Sequence, residues 1–162
     1  MPMPAASTPL SAIMTSPVRC VSPETPLREL AQYLVHAAIG ATPVVLHGKP
    51  IGIVSKTDVL RRCCQDFGTE APPPPTPDGG YMADLRPKPT KVAEIMTCDV
   101  TYLDADTSIS RACALMASEG FHHVVVTANA AVVGIVSSLD VMRWVARCDG
   151  HAIPTQSPRR TR

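Results

Sequence analysis

The chain repeats itself at a constant offset of 82 residues. Ile13-Met14-Thr15 returns as Ile95-Met96-Thr97, and Gly52-Ile53-Val54-Ser55 with Asp58-Val59 returns as Gly134-Ile135-Val136-Ser137 with Asp140-Val141. Val18, Thr25, Val44 and Arg61 find identical partners at Val100, Thr107, Val126 and Arg143. The spacing holds from about residue 11 to 64 without insertion or deletion. A fixed offset of this length means two copies of one strand–helix unit.

Each copy reads the same way locally. A short segment ends at Met-Thr and is followed by a brief strand, Val18–Val21 or Val100–Leu103. Thr25 or Thr107 is the expected N-cap of the next helix, with Pro26 at its first position. Leu27, Leu30, Ala31 and Leu34 mark that helix's apolar face in the first copy, and Ile109, Ala112, Cys113 and Met116 in the second. Two β-branched runs follow, Thr42–Leu46 with Ile51–Ser55 and Val124–Ala128 with Val132–Ser137, and each pair predicts a hairpin. A closing helix runs from Lys56 to Cys64, and from Ser138 to Arg147. The domain reading is a flexible N-terminus over 1–9, repeats over 10–64 and 91–148, a linker over 65–90 and a flexible tail over 149–162. Five prolines between Pro72 and Pro77 make the linker extended, because proline blocks both helix and central strand.

Composition narrows the function classes. With 45% hydrophobic and 18% charged residues the chain suits a globular fold. A net charge of +1 gives no broad electrostatic footprint for nucleic acid; the basic cluster is Arg159, Arg160 and Arg162, read as a solvated tail. No apolar run approaches the ~20 residues that span a bilayer. The N-terminal residues lack the pattern of a secretory signal. The six cysteines form no Cys-x-x-Cys pair and read as reduced thiols, so a cytoplasmic setting is expected.

The chemistry-bearing motif is Gly52-Ile-Val-Ser-Lys-Thr-Asp58 and its copy Gly134-Ile-Val-Ser-Ser-Leu-Asp140. A buried strand ends at a serine and a helix begins at once. The unpaired N–H groups of that first turn, with the positive end of the helix dipole, suit an anion. The serine hydroxyl adds a donor for phosphate, and the aspartate three residues on offers acceptors for ribose hydroxyls. The same Ser-x-x-Asp is also a capping box, in which the two side chains only satisfy backbone donors. Both readings stand at this point.

Taken together, the Ile-Met-Thr segments, Thr42-Pro43-Val44-Val45 and the two Gly-Ile-Val-Ser-x-x-Asp segments resemble the cystathionine-β-synthase (CBS) domain. The whole chain resembles a tandem pair of such domains, a Bateman module. The resemblance implies an α+β fold of two pseudo-twofold-related β-α-β-β-α repeats, forming a disc-shaped homodimer through its helices. It further implies binding of an adenosine-containing ligand (AMP, ADP, ATP, NAD or S-adenosylmethionine) in clefts between the repeats. Asp58 and Asp140 would hold ribose, Ser55 and Ser137 phosphate, and Lys56, Thr57, Ser138 and Leu139 the cleft wall. Thr15, Val18, Thr97 and Val100 would flank the base, and His122 and His123 would reach phosphate.

The copies differ in ways that predict unequal clefts. Gly40-Ala41 stand where the second copy has His122-His123, Thr57 becomes Leu139, and Lys56 becomes Ser138. The paired histidines also admit a packing role or a metal. No catalytic constellation is present: no Gly-x-Ser-x-Gly elbow, no phosphate-binding Gly-x-x-x-x-Gly-Lys loop, no His-Glu-x-x-His. The expectation is a regulatory module, not an enzyme, with no cofactor beyond its nucleotide and no nucleic-acid or membrane partner. It would signal to an effector protein by a conformational change. The alternatives are a structural dimerisation unit with empty clefts, or a weak nucleic-acid or metal binder.

Overall fold

The structure is a computed structural model that describes residues 5–68, with side chains as far as residue 64, and residues 90–153. The proline run at 72–77 and the arginine tail at 159–162 lie outside the described residues.

In the first copy α1 (Leu27–His36) leads to β1 (Ala41–Leu46), β2 (Lys49–Ser55) and α2 (Lys56–Gly68). In the second, β3 (Tyr102–Asp104) and α3 (Ile109–Glu119) lead to β4 (His123–Ala128), β5 (Ala131–Ser137) and α4 (Ser138–Cys148). This is the expected α+β arrangement. β1 and β2 pair antiparallel, as do β4 and β5, while β3 runs parallel to β4. The hairpin turns are His47-Gly48 and Asn129-Ala130, all four with positive φ. Two such residues in succession give the turn whose twist matches that of the strands.

Both helix starts lie one residue later than expected. Pro26 and Ser108, not Thr25 and Thr107, are the N-caps. Ser108 Oγ accepts the Arg111 N–H at 3.3 Å, a bond that proline cannot make at the matching position. Leu30 and Leu34 of α1, and Ile109, Ala112 and Met116 of α3, are buried as their spacing predicts.

The brief strand forms differently in the two copies. In the second it is β3; in the first it reduces to one parallel bridge between Val21 and Val44. The cause is Pro43. Val21 donates to the Pro43 carbonyl and accepts from the Val45 N–H, so the next ladder bond would run from the residue-43 N–H to the Arg19 carbonyl. Proline has no N–H, and the Thr42 hydroxyl donates to Arg19 O instead, at 2.7 Å.

The two copies exchange their leading segments. A 3-10 turn, Leu10–Ala12, precedes the first copy, and another, Val92–Glu94, the second. Leu10 is fully buried in the core of the second copy, among Leu103, Ile109, Val124 and Val136. Val92 is fully buried in the core of the first, among Leu30, Leu34, Val44 and Val54. The backbone bonds are reciprocal. Leu10 N–H donates to Thr107 O at 2.8 Å, and Val92 N–H to Thr25 O at 2.9 Å. Thr15 pairs with Ile135 and Thr97 with Ile53, each pair giving two backbone bonds of 2.9–3.2 Å. Such reciprocity is the signature of a twofold interface, here within one chain.

The exchange reaches into residues 5–9, part of the segment expected to be a flexible N-terminus. From Ala5 onward the segment is bonded to the second copy: Ser110 N–H donates to Ala5 O at 3.1 Å and Ile109 N–H to Thr8 O at 2.9 Å. Thr8 and, at the end of the expected linker, Thr90 are each only 5% exposed.

Candidate functional site

Crossing Thr97 onto β2 places it two residues ahead of Ser55, and crossing Thr15 onto β5 places it two residues ahead of Ser137. Each Ser-x-x-Asp motif therefore lies near the Met-Thr segment of the other copy. Glycine makes the crossing possible. A Cβ at Gly52 would stand 2.8 Å from Thr97 O, and one at Gly134 2.6 Å from Met14 Sδ.

The strand-to-helix turn is the same in both copies. Asp58 Oδ2 accepts the Ser55 N–H at 2.8 Å and its hydroxyl at 2.6 Å, while Ser55 Oγ accepts the Asp58 N–H at 3.3 Å. Ser137 and Asp140 repeat these bonds at the same distances. Both capping boxes are thus formed. They occupy one oxygen of each carboxylate. The other, Oδ1, lies 3.7 Å from a guanidinium nitrogen, of Arg61 in the first copy and Arg143 in the second.

Asp58 borders a cavity of about 160 Å³ that it shares with Arg61, Arg62, Glu94 and Ile95. The first three residues come from α2; Glu94 and Ile95 belong to the exchanged segment of the second copy. The carboxylate that caps the helix is therefore also turned toward a composite cavity.

Both copies match the family model of the CBS domain, at residues 10–64 and 92–147. The chain belongs to the CBS-domain family. Among solved structures, the CBS domain pair of the protein MJ0100, in complex with 5′-methylthioadenosine and S-adenosyl-L-methionine, is 23% identical with a TM-score of 0.71. That comparison covers 87% of this chain and 98% of the other. CBSX2 in complex with AMP is 18% identical with a TM-score of 0.67, covering 87% and 98%. An uncharacterised 17.7 kDa protein from the bps2 3′ region of Acidianus ambivalens is 25% identical over 154 residues, 94% of this chain and 80% of that one.

Within this CBS pair the remaining expected site residues are spread unevenly. Lys56 lines an apolar groove with Ala31, Leu34, Val35, Val59 and Leu60, apart from the set around the Asp58 cavity. Thr57 and Leu139 are exposed, Ser138 is half-buried, and the Ser138 N–H donates to His122 O at 3.0 Å. Thr15 and Thr97 are engaged through backbone, and Val18 and Val100 are half-buried.

The two histidines part company. His122 is exposed, whereas His123 is half-buried across the pseudo-twofold from Gly40, where a Cβ would meet its Nε2 at 3.0 Å. Burial pushes the His123 imidazole below its ordinary value, His122 adds to this, and Asp140 opposes it. A neutral imidazole offers one N–H donor and no full charge.

Arg61, Arg62, Glu94 and Ile95 are the site residues that motif reading misses. A signal for Arg61 exists in the sequence: it stands three residues after Asp58, and Arg143 repeats it after Asp140. Glu94 and Ile95 carry no such signal, because nothing local tells which copy their segment joins. Among the described residues no helix is long and apolar enough to cross a membrane, and no group of three or more metal-ligating side chains gathers. The six cysteines are free thiols.

Proposed function

We propose that this CBS pair is a regulatory module that binds an adenosine-containing nucleotide in its composite clefts and passes a conformational change to a partner protein. The observation that carries this reading is the Asp58 cavity. It joins a carboxylate at a strand-to-helix turn, two guanidinium groups and a wall contributed by the other copy. A ligand there touches both repeats at once, so it favours whichever relative arrangement gives it the better contacts, by its differential affinity for the alternatives. The adenosine compounds bound by MJ0100 and CBSX2 support the ligand class. The chemistry of the cleft is recognition, not catalysis.

Thermal unfolding in the presence of AMP, ATP, NAD and S-adenosylmethionine tests the reading. A true ligand stabilises by RT ln(1 + [L]/Kd). Asp58→Ala and Asp140→Ala each remove one cleft's share of that shift. Each also removes a capping box, which costs about 1 kcal/mol by itself, so the ligand-induced shift is compared within each variant. The capping bonds favour a second reading, a structural pairing unit with empty clefts. Failure of all four ligands to raise the melting temperature would select it.

Assembly follows from the helices. Leu139, Met142 and Val145 lie at three-residue spacing on α4, all more than 40% exposed, and Leu60 of α2 and Val35 of α1 are more than 60% exposed. Large apolar side chains in solvent on helix faces mark an interaction surface. These faces support a homodimer built through the helices, which light scattering of the purified chain tests.

A further inference from the structure

His123 opens β4 and pairs with Ser137 across the β4–β5 ladder, so it stands beside the turn that carries Asp140. Its ring reaches past its own copy. A Cβ on Gly40 would stand 3.0 Å from His123 Nε2 and 3.1 Å from Cε1, so the imidazole fills the space that a side chain at residue 40 would need. The Gly40 carbonyl accepts the Lys56 N–H, the first of α2, at 2.9 Å. Asp58 follows on the same helix. One side chain of the second copy therefore rests on the backbone that seats the Asp58 turn of the first. The contact is not mirrored. Ala41 pairs with Ser55 as His123 pairs with Ser137, and a methyl group stands there, 4% exposed.

The groups around the ring decide which charge state it can hold in that notch. On its own strand, His122 is exposed and opposes a second positive charge. From α4, Asp140 favours the imidazolium, but its Oδ2 accepts the Ser137 N–H and hydroxyl, and its Oδ1 lies 3.7 Å from Arg143. β5 brings Ser137, and the approach to β1 brings Gly40 and Ala41, none of them charged. From α2, the Lys56 side chain lines the groove with Ala31 and Leu34 instead, and Asp58 is engaged by Ser55 and Arg61. The starts of α2 and α4 also bring positive dipole ends to this side. Burial is the largest influence on the ring, and it favours the neutral form. A seated imidazolium loses water without gaining a carboxylate of its own.

We propose that His123 is a proton-operated wedge between the two copies. Neutral, it is seated against Gly40 and holds the two strand-to-helix turns in one relative arrangement. Protonated, it leaves the notch for solvent, and the start of α2 shifts with it. Acidification then reaches the Asp58 turn through a residue of the other copy, with or without a ligand. The seated ring has the lower pKa, so the seat is complete above the ordinary histidine value of ~6.5. It is lost as pH falls from there through the seated value.

NMR of the full, isotope-labelled chain from about pH 8 to about pH 5, the range in which histidine changes charge, tests the wedge. No nucleotide is added, so the outcome does not depend on the ligand reading above. The His123 ring is expected to titrate below ~6.5, and the Lys56 amide to move with the same midpoint. His123→Gln is expected to abolish the movement at Lys56, while His122→Gln keeps it. Gly40→Ala fills the notch without backbone strain, since Gly40 is not among the residues with positive φ. It is expected to hold the Lys56 amide at its acid position even at neutral pH and to return His123 to about 6.5. Circular dichroism at both ends of the range checks that each variant is folded.

The inference is overturned if His123 titrates while the Lys56 amide stays fixed, or if the movement at Lys56 survives His123→Gln. A folded Gly40→Ala chain with both signals unchanged refutes the seat itself.

Discussion

Replacing Gly52 by alanine tests the segment exchange at its tightest point. A Cβ there would stand 2.8 Å from Thr97 O and 3.1 Å from Met96 Sδ. The oxygen is backbone and already accepts the Ile53 N–H at 3.0 Å, so it cannot retreat without loosening the reciprocal pair. Overpacking a close contact costs about 1–3 kcal/mol, and each backbone bond lost adds about 0.5–1.5 kcal/mol. With one such bond lost, we expect Gly52→Ala to lose about 1.5–4.5 kcal/mol, a large share of the ~5–15 kcal/mol that domains possess. At Gly134 the first atom met is Met14 Sδ, at 2.6 Å, with Thr15 O at 3.1 Å. A thioether swings aside more easily than a peptide carbonyl, so Gly134→Ala should lose only about 1–2 kcal/mol. Urea unfolding gives both values, and amide exchange at Ile53 and Thr97 shows whether the pair has opened. A Gly52→Ala midpoint equal to the parent, or a larger loss at Gly134, would refute the argument.

Further outcomes follow from other residues. Leu10→Ala should destabilise by about 2–5 kcal/mol and raise amide exchange chiefly in the second copy's core, although residue 10 belongs to the first; exchange mapped by mass spectrometry checks this. Because burial lowers the His123 pKa, the folded state favours the neutral imidazole while the unfolded chain titrates near ~6.5. The His123 contribution is therefore complete above that value and is lost as pH falls below it. Urea midpoints from pH 7 to 5 should fall less in His123→Gln than in the parent. Exposed Cys64 and Cys98 should react with Ellman's reagent before Cys20 and Cys113, whose thiols burial holds protonated.

The sequence made the repeat legible because a constant offset survives any folding detail. The hairpins were legible as β-branched runs flanking short turns, and the α1 and α3 core faces as helical spacing. What stayed hidden was non-local. Ile13 and Ile95 look alike, and no local signal says that each joins the other copy. The collapse of the first strand at Val21 followed from one missing N–H at Pro43, read only once its parallel neighbour was known. The helix starts slipped by a residue because Ser108, next to Thr107, makes the capping bond, while Pro26 holds the N-cap place in the first copy without one. At the site, Ser-x-x-Asp was readable both as a cap and as a ligand motif. The bonds at Ser55 and Ser137 establish the cap, while the cavity beside Asp58 depends on Glu94 and Ile95 arriving from far along the chain.

The crossing of the leading segments also orders events during synthesis. Leu10 leaves the ribosome early, yet the hydrophobic seat that receives it is finished only when Val136 has been made. The first half in turn waits for Val92 from the second, so neither half holds its whole core. A fragment cut between the copies would carry an unfilled socket and an orphaned plug, and would find both in a second identical fragment.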